Sequence, residues 1–498
     1  MHGDGGAHRP RLLDITRAYA FDKLVGSGEL RCVQAAHARW LRSVMERLER
    51  DWMTMPRSSW VDTYGPWVDD VLAAIDWALG PGDDVELAAY LAGVGFSLGD
   101  QLGVAREFHD CVQRAIKAMG YPDNPSASIV PVLLRLNAVN ADGRDLSGHS
   151  FQKLMRDADR NLALARTTGS PLVQASPLTA MWGWPYVRGN YPAALDGARH
   201  IAQEAQVWAD PYLELIGQRT MAQSLHFMGH HTEAHDLARL ALSNSSRRIP
   251  LAYQPSPVQV ATSARIVLAR ILWMAGAADQ ALAVSEEALG TAEGDRPVAL
   301  CQALSLCAVP VAFWRGELPR AAQLIKRLRQ RAEGHGLGYW IDWARRFEDA
   351  LAVIQGDEAR RAPPLDDTQE FSAKCRDHLV TFSPLLLTDD AIARCAAGMV
   401  GWCMPEVLRG QALRRLHADA LDRDGAAAGW LTRSLAMALA QGAPGWALRS
   451  ATALASLHAR QGKPLLARAA LEPVLAQCRE GQGTADLRAA LAVMASVG

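Results

Sequence analysis

The sequence predicts an all-α protein, an α-solenoid of stacked helical hairpins, and three observations support this. Glycines recur at a nearly constant spacing, helical apolar patterns follow most of them, and no alternating strand pattern of useful length occurs. The separations are 41, 40, 47, 40 and 40 residues between Gly148, Gly189, Gly229, Gly276, Gly316 and Gly356. Periods of this size are typical of helix pairs that stack in a row.

The residues after the turn glycines share one register. Mostly apolar or small residues lie 5, 8, 9, 12 and 13 positions after Gly189, Gly229, Gly276, Gly316 and Gly462. This spacing marks one face of an α-helix. The first position is always alanine, which indicates a close approach of two helices, at Ala194, Ala234, Ala281, Ala321 and Ala467. We therefore expect tetratricopeptide-like hairpins.

The turns carry the chemistry that a helical hairpin needs. Glycine can adopt the left-handed conformation that ends the first helix of a pair. Proline then follows near the start of the second helix, at Pro192, Pro319 and Pro464. Proline suits a first helical turn because its missing N–H has no partner to lose there. Each hairpin would expose an apolar face, and the next hairpin covers it.

The repeat pattern divides the chain into segments. We expect a helical repeat array over residues 31–360 and further repeats over 406–498. Between them, Arg361, Pro363 and Pro364 occupy positions that should be helical. We therefore expect residues 361–405 to form an irregular, degenerate repeat segment.

Composition favours a soluble, cytoplasmic protein. Hydrophobic residues make up 49% and charged residues 21% of the 498 positions, with a formal net charge of −1. This balance is unlike the basic excess of a dedicated nucleic-acid binder. The N-terminal residues lack the apolar core of a signal peptide. The uncharged stretch from Pro297 to Trp314 is just long enough to span a bilayer, but we expect a buried repeat helix there.

No motif indicates an enzyme. Gly95–Gly99 reads GFSLG, which matches the nucleophile elbow of hydrolases. That motif requires a strand before the serine, and the surrounding residues predict a helix instead. No P-loop or dinucleotide-binding glycine pattern occurs. We expect no catalytic residues and no cofactor.

Four closely spaced histidines raise the question of a metal site. His226, His230, His231 and His235 form two pairs with a spacing of four residues. Two imidazoles on one helical face can bind one metal ion. Gly229 interrupts the first pair, and the second begins in a turn. We interpret these histidines as solvated turn residues and expect no metal.

The most plausible ligand contacts are the aromatic residues that close one first helix: Trp182, Trp184, Tyr186 and Tyr191. Helical repeats bind partners along their concave surface, where aromatic side chains serve as anchors. The alternative is that these rings fill the core between helices. The sequence leaves both interpretations open.

Both ends of the chain resemble a known family. Ile15–Glu29 and Ala35–Leu41 resemble the end of the winged-helix segment behind the nucleotide-binding domain of large bacterial STAND-type ATPase regulators. The matching positions are Arg17, Tyr19, Ala20, Leu24, Ser27, Gly28, Glu29, His37 and Trp40. Trp67–Leu79 is similar to a following element of those proteins. The segments Trp402–Leu413, Gln441–Lys463 and Gly483–Met494 are similar to their closing repeats.

The resemblance implies that residues 1–30 are the remnant of a winged-helix-like segment. It also implies a sensor module for a transcriptional regulator, with a protein or small-molecule effector bound on the concave face. The DNA-binding and ATPase domains of the family have no counterpart in this sequence, so we expect no direct nucleic-acid contact and no membrane contact. The alternative is a free-standing scaffold for protein–protein interaction, which a pull-down of a stable heteromeric complex would favour.

Overall fold

The computed structural model describes residues 14–120, 125–126, 128–142, 151–247, 249–251, 258–357, 373–423 and 425–497. Helices make up most of these residues, and none of them forms a β-strand. The predicted all-α class is therefore confirmed. Gly148, residues 1–13 of the expected winged-helix remnant and residues 361–372 of the expected irregular segment lie outside the described residues. The chain divides into two compact units, residues 1–143 and 144–498.

The first unit is a set of packed helices. Its buried core includes Leu41, Trp60 and Phe108. The helix that contains the GFSLG motif is continuous through Ser97, as predicted, and Gly95 and Gly99 let the ring of Phe108 approach its backbone. The helices of this unit are α1 (Asp14–Ser27), α2 (Leu30–Asp51), α3 (Arg57–Tyr64), α4 (Val68–Leu79), α5 (Val85–Leu102), α6 (Ala105–Met119) and α7 (Val130–Asp142).

The second unit begins with the repeated hairpins. The first helices of successive pairs end at the turn glycines, and we call them the inner helices: α9 (Pro171–Arg188), α11 (Pro211–Met228), α13 (Val260–Met274), and α15 (Pro297–Ala303) continued by α16 (Val309–Arg315). The second helices are the outer helices: α10 (Tyr191–Trp208), α12 (His231–Ser243), α14 (Ala278–Glu293) and α17 (Leu318–Gly334). The helix α8 (Phe151–Arg166) precedes them.

The predicted turn chemistry is present. Gly189, Gly229, Gly276 and Gly316 have φ values of 82°, 90°, 83° and 78°, the left-handed conformation that glycine adopts without steric cost. The three prolines lie in the first turns of their helices. The alanines five positions after the glycines are all fully buried. The register of the repeat was therefore readable from the sequence.

Inner and outer helices differ in how much of their surface is covered. Twelve of the 15 residues of α13 are buried, whereas only four of the 13 residues of α12 are. The inner helices therefore have protein on both sides. The uncharged stretch from Pro297 onwards is long and apolar enough to cross a membrane, and it follows this rule because 83% of its most apolar window is buried inside the protein. A π-helical turn, Leu304–Ala308, joins its two parts.

The remaining helices pack against the side of the inner helices that the outer helices leave uncovered. Contacts join α9 and α16 to α19, and α13 to α23. The helices of this part are α18 (Gly338–Ile354), α19 (Ala373–Phe382), α20 (Asp389–Ala396), α21 (Met404–Ala418), α22 (Ala426–Ala440), α23 (Pro444–Arg460), α24 (Pro464–Leu475) and α25 (Ala485–Ser496).

The C-terminal helices follow the row of repeat turns. The backbone N–H groups of Gly401 and Trp402 donate to the carbonyl of Phe227 at 3.0 and 3.2 Å. Arg394 donates to the carbonyl of Gly189 at 2.8 Å, and the backbone of Gly445 packs against that of Trp273. The C-terminal helices therefore pack against the turns of the first repeats.

Candidate functional site

Three of the predicted aromatic residues belong to the inner helix α9, and Tyr191 begins the outer helix α10. Trp182 and Tyr186 stack with ring centroids 4.7 Å apart, and Tyr191 stacks on Phe227 at 4.5 Å. Trp182, Tyr186 and Tyr191 are buried, whereas Trp184 is half-buried. Three of the four rings therefore contribute to the core of the unit. Their role in ligand binding stays a prediction.

The helix α19 lies against these rings and is enclosed on every side. All nine residues from Ala373 to Thr381 are buried. Five of them are polar: Lys374, Arg376, Asp377, His378 and Thr381. Burying polar side chains is costly unless each finds a partner. Such a helix is unlike the apolar core helices around it, and its partners define the candidate site.

Several polar side chains of α19 contact the helices around them. The amino group of Lys374 lies 3.4 Å from the centroid of the Tyr186 ring. Asp377 accepts two hydrogen bonds from Arg394 of α20, at 2.8 and 3.1 Å. Thr381 accepts a hydrogen bond from the indole of Trp314 at 2.9 Å. These contacts connect α19 to α9, α16 and α20 at once.

Arg270 of α13 lies at the centre of the site and is 1% exposed. Its Nε donates to Nε2 of His226 at 2.8 Å, and its Nη1 donates to the Leu306 carbonyl at 3.0 Å and to Nε2 of His378 at 2.7 Å. Trp402 covers its guanidinium, with the ring centroid 4.3 Å from Cζ. We call Arg270, Lys374, His226, His231 and His378 the cationic cluster.

The interpretation of His226 and His231 as solvated turn residues is wrong. They are 0% and 3% exposed because α19 and the segment around Trp402 cover the end of α11. Their Nδ1 atoms lie 3.2 Å apart. His230 is exposed and His235 is half-buried. In the described part of the chain, no group of three or more metal-ligating side chains is arranged to hold a metal ion.

The hydrogen bonds assign the neutral tautomers of these imidazoles. Nδ1 of His378 donates to the Lys374 carbonyl at 2.7 Å, so its Nε2 is the acceptor for Arg270. Nε2 of His226 also accepts from Arg270, so its Nδ1 carries the proton and donates to His231. Nδ1 of His231 is the acceptor of this hydrogen bond, so the proton of the neutral His231 ring is on Nε2.

Burial and the nearby cations set the protonation of the cluster. Desolvation, with Arg270 as the next cause, lowers the pKa of His226 and His378 well below the ordinary value and that of His231 to about 3. Burial lowers the pKa of Arg270 to about 10, so its guanidinium stays charged at neutral pH. Burial also lowers the pKa of Lys374 well below its ordinary value.

A second buried polar group lies between α21, α23 and α25. Glu406 is 1% exposed and accepts from Arg409 at 2.7 Å and from Arg449 at 2.9 Å. Arg449 also donates to Asp486 at 2.7 Å. We call Glu406, Arg409, Arg449 and Asp486 the ion-pair cluster. Its two arginines and two carboxylates balance each other.

The sequence contained one signal for the cationic cluster that periodicity alone does not reveal. Arg270 is one of two arginines on the largely apolar helix α13, near Ile266, Val267 and Met274, and the other, Arg265, pairs with Glu287. Such a helix is typically buried, so a charge within it is a candidate functional group. Lys374 and His378 gave no comparable signal because they follow the segment in which the repeat pattern is lost.

Comparisons with known proteins give only structural similarities at low sequence identity. No protein-family model and no curated protein matches the sequence. A Rap protein solved in complex with competence and sporulation factor is similar in structure, with 13% identity, a TM-score of 0.44, and coverage of 80% of this chain and 99% of that one. Yeast Tom70 is similar with 13% identity, a TM-score of 0.27, and coverage of 91% and 96%.

Proposed function

We propose that the chain is a regulatory helical-repeat module that binds an effector on the face formed by its inner helices. In stacked hairpins this face is the concave one, and it is where such proteins hold their partners. The buried polar helix α19 supports the proposal. It lies on that face as a bound helical segment would, with Lys374, Asp377 and Thr381 each matched to a different neighbour.

Occupation of the face by the chain itself suggests how regulation would operate. A site that is closed most of the time has an apparent affinity reduced by the fraction that is open. An effector that competes with α19 would therefore bind weakly until α19 is released. The effector is a protein segment or a small molecule that reproduces some of the contacts of α19.

Release of α19 by mutation tests this proposal. Asp377→Asn removes from α19 the carboxylate that pairs with Arg394, which destabilises the docked helix but leaves Arg394 in place for Asp377 of an added peptide. A labelled peptide with the sequence of residues 373–382 should then bind the variant at least about tenfold more tightly than the wild-type chain, because more of the face is open. Fluorescence anisotropy of the peptide measures the affinity.

A matched control uses a carboxylate in an exposed ion pair. Glu472 pairs with Arg468 on the surface, and the side chains of Arg468 and Glu472 are 43% and 49% exposed. Glu472→Gln should leave peptide binding at the wild-type level. Equal peptide affinity for all three proteins, with circular dichroism showing that each is folded, would contradict the proposal.

We further propose that this module belongs to a cytoplasmic, STAND-type transcriptional regulator. The matches at Ile15–Glu29 and Gln441–Lys463 support this context. The coding sequence upstream of Met1 provides the test. An adjoining region that encodes a nucleotide-binding ATPase domain is the expected finding, and an unrelated gene on the opposite strand would count against it.

A further inference from the structure

The buried positive charge of Arg270 has no acidic partner. Arg270 and Lys374 are 1% and 3% exposed, and the ion pairs of the described part of the chain include neither of them. The guanidinium of Arg270 and the amino group of Lys374 lie beside the Phe227 ring, at 5.0 and 5.1 Å from its centroid. Buried charges are normally paired because desolvation of an ion is costly. Arg270 lacks such a counter-charge.

Three hydrogen-bonding groups of the cationic cluster and of Trp402 are unpaired donors. Nη2 of Arg270, Nε2 of His231 and the indole Nε1 of Trp402 are buried without a hydrogen-bond partner. The tautomers make the His231 atom an N–H donor, and Arg and Trp nitrogens can only donate. The three imidazole acceptors are already used by Arg270 and by His226. A surplus of donors beside a surplus of positive charge is the chemistry of an anion-binding site.

We propose that the cationic cluster binds a small monovalent anion, chloride or a carboxylate of formate or acetate size, between Arg270 and Lys374. The anion accepts from Nη2 of Arg270 and from the amino group of Lys374. Small size follows from enclosure, because every member of the cluster is at least nine-tenths buried. Lys374 is the side chain that turns to admit the anion, since its long aliphatic chain can rotate away from the Tyr186 ring.

The bound anion would hold α19 in place. Lys374 belongs to α19 and Arg270 belongs to the inner helix α13, so an anion between them links the two helices. The same link passes through His378, which joins Arg270 to the Lys374 carbonyl. Anion binding is thus a second means of control over the face that α19 covers, because displacement of α19 would also remove Lys374 from the anion.

Thermal unfolding of the purified full chain tests the site. The ionic strength is held constant with the sodium salt of a bulky sulfonate such as MES, which is too large for the site. This salt is then exchanged stepwise for sodium chloride, formate or acetate. A specific anion should raise Tm by about 3 °C or more and saturate, because a ligand that binds only the folded state stabilises it.

Three methionine variants locate the effect. Arg270→Met and Lys374→Met remove the two proposed contacts and should lose the anion-dependent rise in Tm. Arg449→Met is the matched control, since Arg449 is a buried arginine whose charge Glu406 and Asp486 balance. It should lower Tm in every salt and keep the anion-dependent rise. Lys374→Met also decides the question if Arg270→Met fails to fold.

A Tm that is the same in all of these salts would overturn the proposal. So would a rise that Arg270→Met and Lys374→Met both retain at the wild-type size. The peptide-binding result for Asp377→Asn does not depend on this outcome, so failure of the anion site and failure of the proposed function are distinguishable.

Discussion

The ion-pair cluster and the cationic cluster are two buried polar groups in one unit, and they differ in completeness. Glu406 and Asp486 balance Arg409 and Arg449, and the donors of Arg449 also reach the carbonyls of Thr381 and Trp314 at 2.8 and 3.3 Å. The cationic cluster has no carboxylate, and Nη2 of Arg270 has no partner. The chain itself balances the charges of the ion-pair cluster, whereas it supplies no carboxylate to the cationic cluster.

This difference separates a structural group from a candidate binding group. A buried charge network in which every member is satisfied makes its region rigid, whereas a partly satisfied one is unstable unless something else completes it. The ion-pair cluster holds α21, α23 and α25 together. The cationic cluster lies at the junction of α11, α12, α13 and α19, where the chain folds back on its repeats.

The largest expected effect comes from a substitution in the ion-pair cluster. Glu406→Gln leaves Arg409 and Arg449 short of a buried negative charge, which should lower the free energy of unfolding by about 3–5 kcal/mol. The pKa of Glu406 is consistent with strong pairing. Burial by itself raises this pKa, but Arg409 and Arg449 lower it by a larger amount, so that it lies below its ordinary value. Urea unfolding followed by circular dichroism measures the change. Glu472→Gln, in an exposed pair, should cost less than about 1 kcal/mol.

The next prediction concerns the stability of the folded chain when acid protonates the histidines of the cationic cluster. The folded state lowers the pKa of His226, His231 and His378, so the unfolded chain binds more protons below the ordinary histidine pKa of 6.5. Stability should therefore fall as pH falls below about 6.5. Each histidine should cost about 1.4 kcal/mol by pH 5.5, or about 4 kcal/mol for the three together.

Histidine variants separate this effect from general acid denaturation. His231→Asn should weaken the pH dependence of the urea midpoint between pH 7.5 and 5.5. His235→Asn is the control, because His235 is half-buried and pairs with Asp236 outside the cluster. A midpoint for the wild-type chain that stays constant down to pH 5.5 would show that the buried histidines are not neutral.

The smallest expected effect concerns the junction between the C-terminal helices and the repeats. Gly401 lies so close to the Met228 carbonyl that an added Cβ would overlap it. Gly401→Ala should therefore lower the free energy of unfolding by about 1–3 kcal/mol. Gly429→Ala is the matched control, because Gly429 lies in α22 with open space around it, and it should raise stability by up to about 1 kcal/mol. An equal change in Tm for Gly401→Ala and Gly429→Ala would show that the backbone of Gly401 does not pack closely against that of Met228.

The sequence by itself determined the hairpins. Gly189, Gly229 and Gly276 end helices, Pro192 and Pro319 begin them, and Ala194 and Ala281 are buried where the register placed them. These features depend on residues within one helical turn or one hairpin of each other. Local chemistry is therefore sufficient to predict them.

Only the tertiary structure decided where the candidate site lies. His226 reads as a turn residue, yet it is buried because Trp402, far along the chain, covers it. His378 contacts Arg270, and Lys374 reaches the Phe227 ring, because the chain returns after a segment in which the repeat pattern is lost. Contacts between residues more than 100 positions apart leave no trace in a local pattern, since many chain paths satisfy the same periodicity. The charge imbalance at Arg270 therefore becomes visible only when the helices are packed together.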